Sequence, residues 1–259
     1  LQKKIGRRLK GLQASPFKWK RHGEAGLWIS DLFPNIARHS DELCVLKGLH
    51  TDGFDHGTAT LRLHTGEDRL IRPSMGAWAS GTRGYGSAFL PAIYQGTPIG
   101  RQGQAFSKAT VQHLENLNLS PELQKLHAQR LAQRNRQHLK STGEDAQLEG
   151  MIESFELAFK MQREVPPLMD ITGESPATLA AYGVGEKPTD DFGRKCLMAR
   201  RLPEAGVRFI QVTHAYRDAK TTLWDQHGYL VEGLTTNCAQ VDQPIAALLT
   251  DLKQRGLLE

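Results

Sequence analysis

Cysteine is scarce. Cys44, Cys196 and Cys238 are the only three in 259 residues. They are odd in number and widely spaced, with no Cys-x-x-Cys among them. Neither a zinc framework nor a disulfide scaffold can be built from such a set, so they read as small buried hydrophobes and leave the redox compartment open. Long apolar runs are missing too. Nothing approaches the roughly 18 residues needed to cross a bilayer, and the opening is basic without the apolar stretch of a secretory leader. There is no Walker loop, no dinucleotide fingerprint and no His-Glu-x-x-His helix. Ser74 lacks the Gly-x-Ser-x-Gly elbow of a nucleophilic serine, so a structural turn is the simpler reading of it.

Acid is missing from the first 23 residues, which hold eight Lys and Arg: a local +8 against +5 for the whole chain, leaving −3 on the other 236. Such a head suits nucleic acid or acidic lipid, or is simply a solvated surface segment. No aromatic-interleaved basic stripe continues past it, which favours the solvated reading over nucleic acid. The rest is ordinary globular composition, 39% apolar and 24% charged.

What is present has readable periods. Leu27, Leu32 and Ile36 fall at helical spacing, with Pro34 as a potential break. Residues 43–46 form a short apolar run ending at Gly48, which predicts a buried strand. A short helix is expected over Thr58 to His64, closed by Gly66. Residues 67–119 are rich in Gly and Pro without a clear period, a length that points to function or to lost sequence. Ser120-Pro121 opens a polar helix reaching about Leu139, broken by Gly143. A second helix from about Asp145 ends at Pro166-Pro167, and the two form an antiparallel hairpin over 120–165. Asp190 or Asp191 caps a helix through Leu202, followed by a strong strand at 206–214, the αβ unit of a parallel sheet. Asp242 as cap, Pro244 in the first turn and a stripe of Ile245, Leu248, Leu249 and Leu252 predict a last helix ending at Gly256. The closing Leu-Leu looks like entry to another strand.

Three constellations bear chemistry. Asp225 and His227, two apart behind Trp224, would face one side of an extended stretch and could share a cation. They follow the predicted strand 207–214, where α/β sheets bind ligands, with His214 close by; the alternative is a hydrogen-bonded loop anchor. His50, Asp52, Asp55 and His56 crowd a turn before a helix N-terminus, which suits an oxyanion, with Thr58 and Thr60 near; the alternative is a polar turn with Asp55 as cap. Arg72 could contact an anionic group.

Several stretches resemble a sulfatase-like family of unknown function (DUF1501) placed in the alkaline phosphatase superfamily. They include 15–37, "RPSMGAW" (72–78), 86–99, 155–171, "CLMARRLPEAGVRFIQV" (196–212), "WDQHG" (224–228) and 247–259. They run in order through the whole chain. The resemblance implies an α/β class, an incomplete three-layer α/β/α sandwich of the alkaline phosphatase/sulfatase kind. It would fill residues 1–259 as one partial domain, with 1–23 as basic head and 120–165 as an inserted helical hairpin. It implies hydrolysis of sulfate or phosphate esters beside a divalent metal (Zn, Ca or Mg). Asp225, His227 and His56 would be the ligands, and His56 and Arg72 the catalytic groups. On this alignment His56 stands where sulfatases carry the residue that becomes formylglycine, a departure from their usual chemistry. The family pattern also has an early strand with a Gly-Gly-Pro-Ser turn, a late Asp-His motif and a longer passage around Gly81–Gly84. The chain is thus expected to be truncated at both ends and inactive by itself. A catalytically dead binding or scaffold protein is the competing expectation, and export to the periplasm is expected by resemblance.

Overall fold

Two glycines at positive φ, Gly23 and Gly26, fold the basic opening back on itself. The computed structural model describes residues 14–52, 55–67, 96–100, 104–111, 118–142, 146–214, 224, 226 and 228–258. The turn joins strands β1 (Trp19–His22) and β2 (Leu27–Ser30), antiparallel with Trp19 opposite Ser30 and Arg21 opposite Trp28. Paired residues share a face, so the Arg21 guanidinium lies 5.3 Å from the Trp28 ring centroid, a cation–π contact. Lys20 and Arg21 are exposed, while Ile29 and Ser30 turn inward. The helix expected from Leu27 is therefore a strand first, followed by a 3-10 turn at Ile36–Glu42.

Beyond the hairpin the described chain is helical: α1 (His56–Thr65), α2 (Pro121–Thr142), α3 (Ala146–Met169), α4 (Pro176–Ala181), α5 (Asp190–Glu204) and α6 (Leu230–Gln254). Local chemistry fixes many of the ends. The Asp55 side chain caps α1 and Gly66, at φ 75°, closes it. The Ser120 hydroxyl accepts from the Leu123 N–H at 3.3 Å. Ser175 caps α4, with Pro176 in its first turn. α2 and α3 form the expected antiparallel hairpin, tied by Gln124 to Gln162 and Arg136 to Glu156. α3 runs through Pro166 and Pro167 rather than stopping there.

The core lies between α5 and α6. Tyr182, Phe192, Cys196, Leu197 and Val241 are buried together, with Phe33, Ile171, Leu179, Val212 and Ile245 packed around them. Gly193 lets α5 approach closely, since a Cβ there would lie 2.2 Å from the Tyr182 carbonyl oxygen. Burial pushes the Cys196 thiol up to about 12, as befits a packing residue.

The three-layer α/β/α sandwich expected from the resemblance is not the fold described. The protein is mostly helical, and the only sheet among the described residues is the two-stranded hairpin. Two expected strands account for the difference. Residues 43–46 are unpaired, with Val45 and Leu46 exposed. Residues 207–214 are not in a strand either, because no described neighbour supplies a ladder of backbone hydrogen bonds. Apolar alternation reports that a segment faces a core on one side, and a partner strand is a separate requirement.

Candidate functional site

α1 begins at His56, the residue the resemblance placed at the nucleophile position. The turn before it is self-satisfied. Asp55 Oδ1 accepts from the N–H groups of Gly57 at 2.9 Å and Thr58 at 3.0 Å, and Oδ2 from the Thr58 hydroxyl. That hydroxyl, ahead of the backbone donors, holds the Asp55 carboxyl below the usual carboxylate range. The anion-favouring end of the helix thus already has its anion, and an ester oxyanion would have to displace Asp55. His56 is exposed, and α1 buries no residue. Arg62, one turn from its end, lies 3.7 Å from Asp52.

The second neighbourhood gathers at the end of the 207–214 run. The Trp224 indole N–H donates to His214 Nδ1 at 3.0 Å, and His214 Nε2 lies 2.7 Å from Gln240 Oε1 on α6. An indole nitrogen only donates, so Nδ1 is the unprotonated nitrogen and Nε2–H donates to Gln240. Both imidazole nitrogens are in use. Phe192 meets the His214 ring edge-on at 5.3 Å between centroids, and Trp224 does so at 5.6 Å. Burial pushes the imidazole below its ordinary pKa, against the hydrogen bond to Gln240. His214 is accordingly a neutral anchor and not an open metal ligand.

Beside this run lies a cavity of about 870 Å³ between α1, α3, α5 and residues 96–106. Its wall is largely apolar, including Ile99, Phe106, Met161, Leu202 and Phe209. Lys195 is paired with Asp191 at 2.8 Å and Lys160 with Glu164 at 3.7 Å. His64 and Arg208 also line it, so the cavity joins a largely apolar wall to a few polar groups.

Of the residues expected to form the site, His56 is described. Arg72, Asp225 and His227 lie outside the described residues. Trp224, the residue before Asp225, is tied to α6 through His214. Among the described residues no three His, Cys, Asp or Glu side chains gather as a metal-holding group. His56 alone therefore does not form a cradle. As a donor set, a carboxylate and two imidazoles do match a zinc-type ion.

A polar cluster went unread in the sequence. Arg200, 4% exposed, faces Glu174 at 2.6 Å, Glu204 at 2.8 Å and Asp251 at 3.2 Å. Arg201 pairs with Glu174, Arg255 with Glu204 and Asp251, and the Tyr182 hydroxyl donates to Asp251 at 3.0 Å. The Arg200–Glu204 spacing of four on one helix face was the available signal. The cluster is a tie between α5, α6 and the segment before α4.

Hairpin, helical body and polar tie define a mostly helical protein built around the α5–α6 pair. The chain belongs to the family described as "Protein of unknown function (DUF1501)", whose profile matches residues 1–84 and 79–259. The two matches overlap at 79–84, the passage where the resemblance implied a shortening. The search of curated proteins and the search of solved structures each gave no match. The family description carries neither an activity nor a superfamily.

Proposed function

We propose that this chain is a partial, metal-dependent hydrolase-like domain whose full-length form acts on sulfate or phosphate esters. The proposal takes from the resemblance to alkaline phosphatases and sulfatases their chemistry and not their fold. Asp225 and His227 would hold a divalent cation, Zn, Ca or Mg, whose chemistry is to polarise an ester oxygen or activate water. His56 would add an imidazole as ligand or base, and Arg72 would neutralise charge on the anionic group. Export to the periplasm forms part of the same reading. No described helix is long and apolar enough to cross a membrane.

The observation that carries the reading is the Asp-x-His pair directly behind Trp224, because the indole–imidazole bond gives that stretch a fixed point of departure from the protein body. A metal site needs such fixation, since ligands held loosely lose affinity. The second reading, a scaffold without catalysis, is favoured by Asp55, whose carboxylate occupies the helix end where an oxyanion would bind.

The test is metal titration and ester turnover by a longer family member carrying the same segments, with the present chain alongside. The expected result is stoichiometric metal binding and metal-dependent cleavage of an aryl phosphate or aryl sulfate by the longer protein. Substituting alanine at the positions matching Asp225 or His227 should reduce both, and the present chain should be inactive. Absence of stoichiometric binding in the longer protein would establish the scaffold reading. Turnover by the present chain, lost in His227→Ala, would overturn its expected inactivity.

A further inference from the structure

The His214 hydrogen bonds are directional, and that direction has a consequence. Trp224 can only donate, so its bond exists only while His214 Nδ1 is unprotonated. Adding a proton to Nδ1 sets N–H against N–H across 3.0 Å and leaves the indole without its acceptor. The bond to Gln240 is unaffected, because Nε2 donates in both states. Protonation therefore breaks one link of a three-residue chain and spares the other. The link that breaks holds Trp224, and the link that survives holds His214 to α6.

We propose that Trp224, His214 and Gln240 form a latch that holds Trp224, the residue before Asp225, to α6 and opens on acidification. Phe192 on α5 braces the imidazole edge-on, so the ring cannot turn to offer Trp224 its other nitrogen without losing Gln240. The charged groups that act on His214 among the described residues are Lys195 and Asp191, both on α5. They oppose each other, the lysine disfavouring and the aspartate favouring a proton, and are themselves paired at 2.8 Å. From α6 it meets the neutral Gln240. Burial is the largest influence and keeps the ring neutral.

The sign follows. The folded-state pKa of His214 is depressed, so the unfolded chain binds the proton more readily. The latch contributes its full stability above the ordinary histidine value of about 6.5. That contribution is lost as pH falls below it toward the folded-state pKa. The latch stands on these contacts alone; its bearing on a metal rests on the function proposed above.

Nitrogen-15 labelling of tryptophan reports each of the four indoles separately. Trp224→Phe identifies the resonance to follow. In the unmodified chain the Trp224 indole signal should move sigmoidally toward its unfolded position, with a midpoint below about 6.5, while the other indole signals stay in place. His214→Asn keeps an acceptor near the Nδ1 position and cannot take up a proton, so its Trp224 signal should stay bound across the same range. A Trp224 signal in the unmodified chain that does not move between pH 8 and pH 5 would overturn the latch. So would a His214→Asn signal that moves as the wild type does. Zinc titration at pH 8 separates the two readings. If the unmodified chain binds zinc, His214→Ala should weaken binding about tenfold, the usual effect of losing a positioning group, and His214→Asn should restore it; equal affinity in all three overturns the positioning role. If the unmodified chain binds no zinc, as a partial site implies, the same three-way comparison is made at the matching positions of the longer family member, and the indole titration decides the latch.

Discussion

Asp242 shows how much one side chain can be asked to do. Its position near Pro244 reads in sequence as the cap of its own helix, yet α6 begins twelve residues earlier, at Leu230. The carboxylate serves another segment instead. It accepts from the Asn35 N–H at 3.0 Å, the Ile36 N–H at 2.9 Å and the Asn35 side-chain amide at 2.7 Å. It thereby caps the 3-10 turn at Ile36–Glu42 from more than two hundred residues away. Asp242 is 4% exposed and its donors on Asn35 and Ile36 are half-buried, so water replaces a removed carboxylate only in part. Each orphaned buried donor costs about 1–3 kcal/mol, and charge-assisted bonds lie at the upper end. Asp242→Ala is expected to lower unfolding free energy by about 3 kcal/mol, read as a reduced urea midpoint. Asp242→Asn keeps one oxygen acceptor and should lose less. Equal stability of wild type and Asp242→Ala would show that the cap adds nothing.

At the scale of elements, α5 and α6 are joined twice, by an apolar seam through Leu197 and Val241 and by the arginine cluster at its edge. The cluster specifies registry more than it adds strength, because burying charge costs nearly what pairing returns. Removing one partner is a different matter. Arg200→Leu leaves Glu174 and Asp251 without their shared cation, with Arg201 still facing the first and Arg255 the second. A loss of about 3 kcal/mol, at the low end for breaking a buried pair, is expected in thermal or urea unfolding. Arg255, 39% exposed at its side chain, should cost no more than about 1 kcal/mol when changed to Gln. A cost at Arg200 no larger than at Arg255 would refute a buried tie. The helices themselves were legible where local chemistry decides them: Asp55 and Gly66 bound α1, and Ser120-Pro121 opens α2. They were misread where a side chain or a prolyl ring acts over distance. Pro166 and Pro167 lie within α3, Pro244 lies within α6, and the carboxylate of Asp242 is spent elsewhere. The run at 207–214 was misread for a related reason, since its alternation shows one buried side without saying what covers the other.

For the molecule as a whole, burial among the described residues is unevenly distributed, and the distribution bears on the candidate site. Asp-x-His spacing, the histidine before a short helix and the family were all readable in the sequence. The latch was not, because His214 and Trp224 are ten residues apart and meet on α6 only through Gln240. Nor was the cavity, whose wall draws on five separate segments. Burial is concentrated in α5 and α6, which carry most of the core, whereas α1 has no buried residue and Leu63 within it is 69% exposed. Besides its caps α1 has the Arg62–Asp52 pair and half-buried positions such as Ala59 and Leu61, and a helix of ten residues with so little packing is marginal in water. Such a gradient means that opening is local at one end and global at the other. Amide hydrogen exchange should therefore find the Cys196–Ala199 and Cys238–Val241 amides protected to the global unfolding free energy. The α1 amides, which include those nearest His56, should exchange orders of magnitude faster. Stabilisers that act on the core should slow the first group and leave the second unchanged. If α1 proves as protected as α5, it is packed against something beyond its own caps, and His56 then sits in a held site rather than at an exposed helix start.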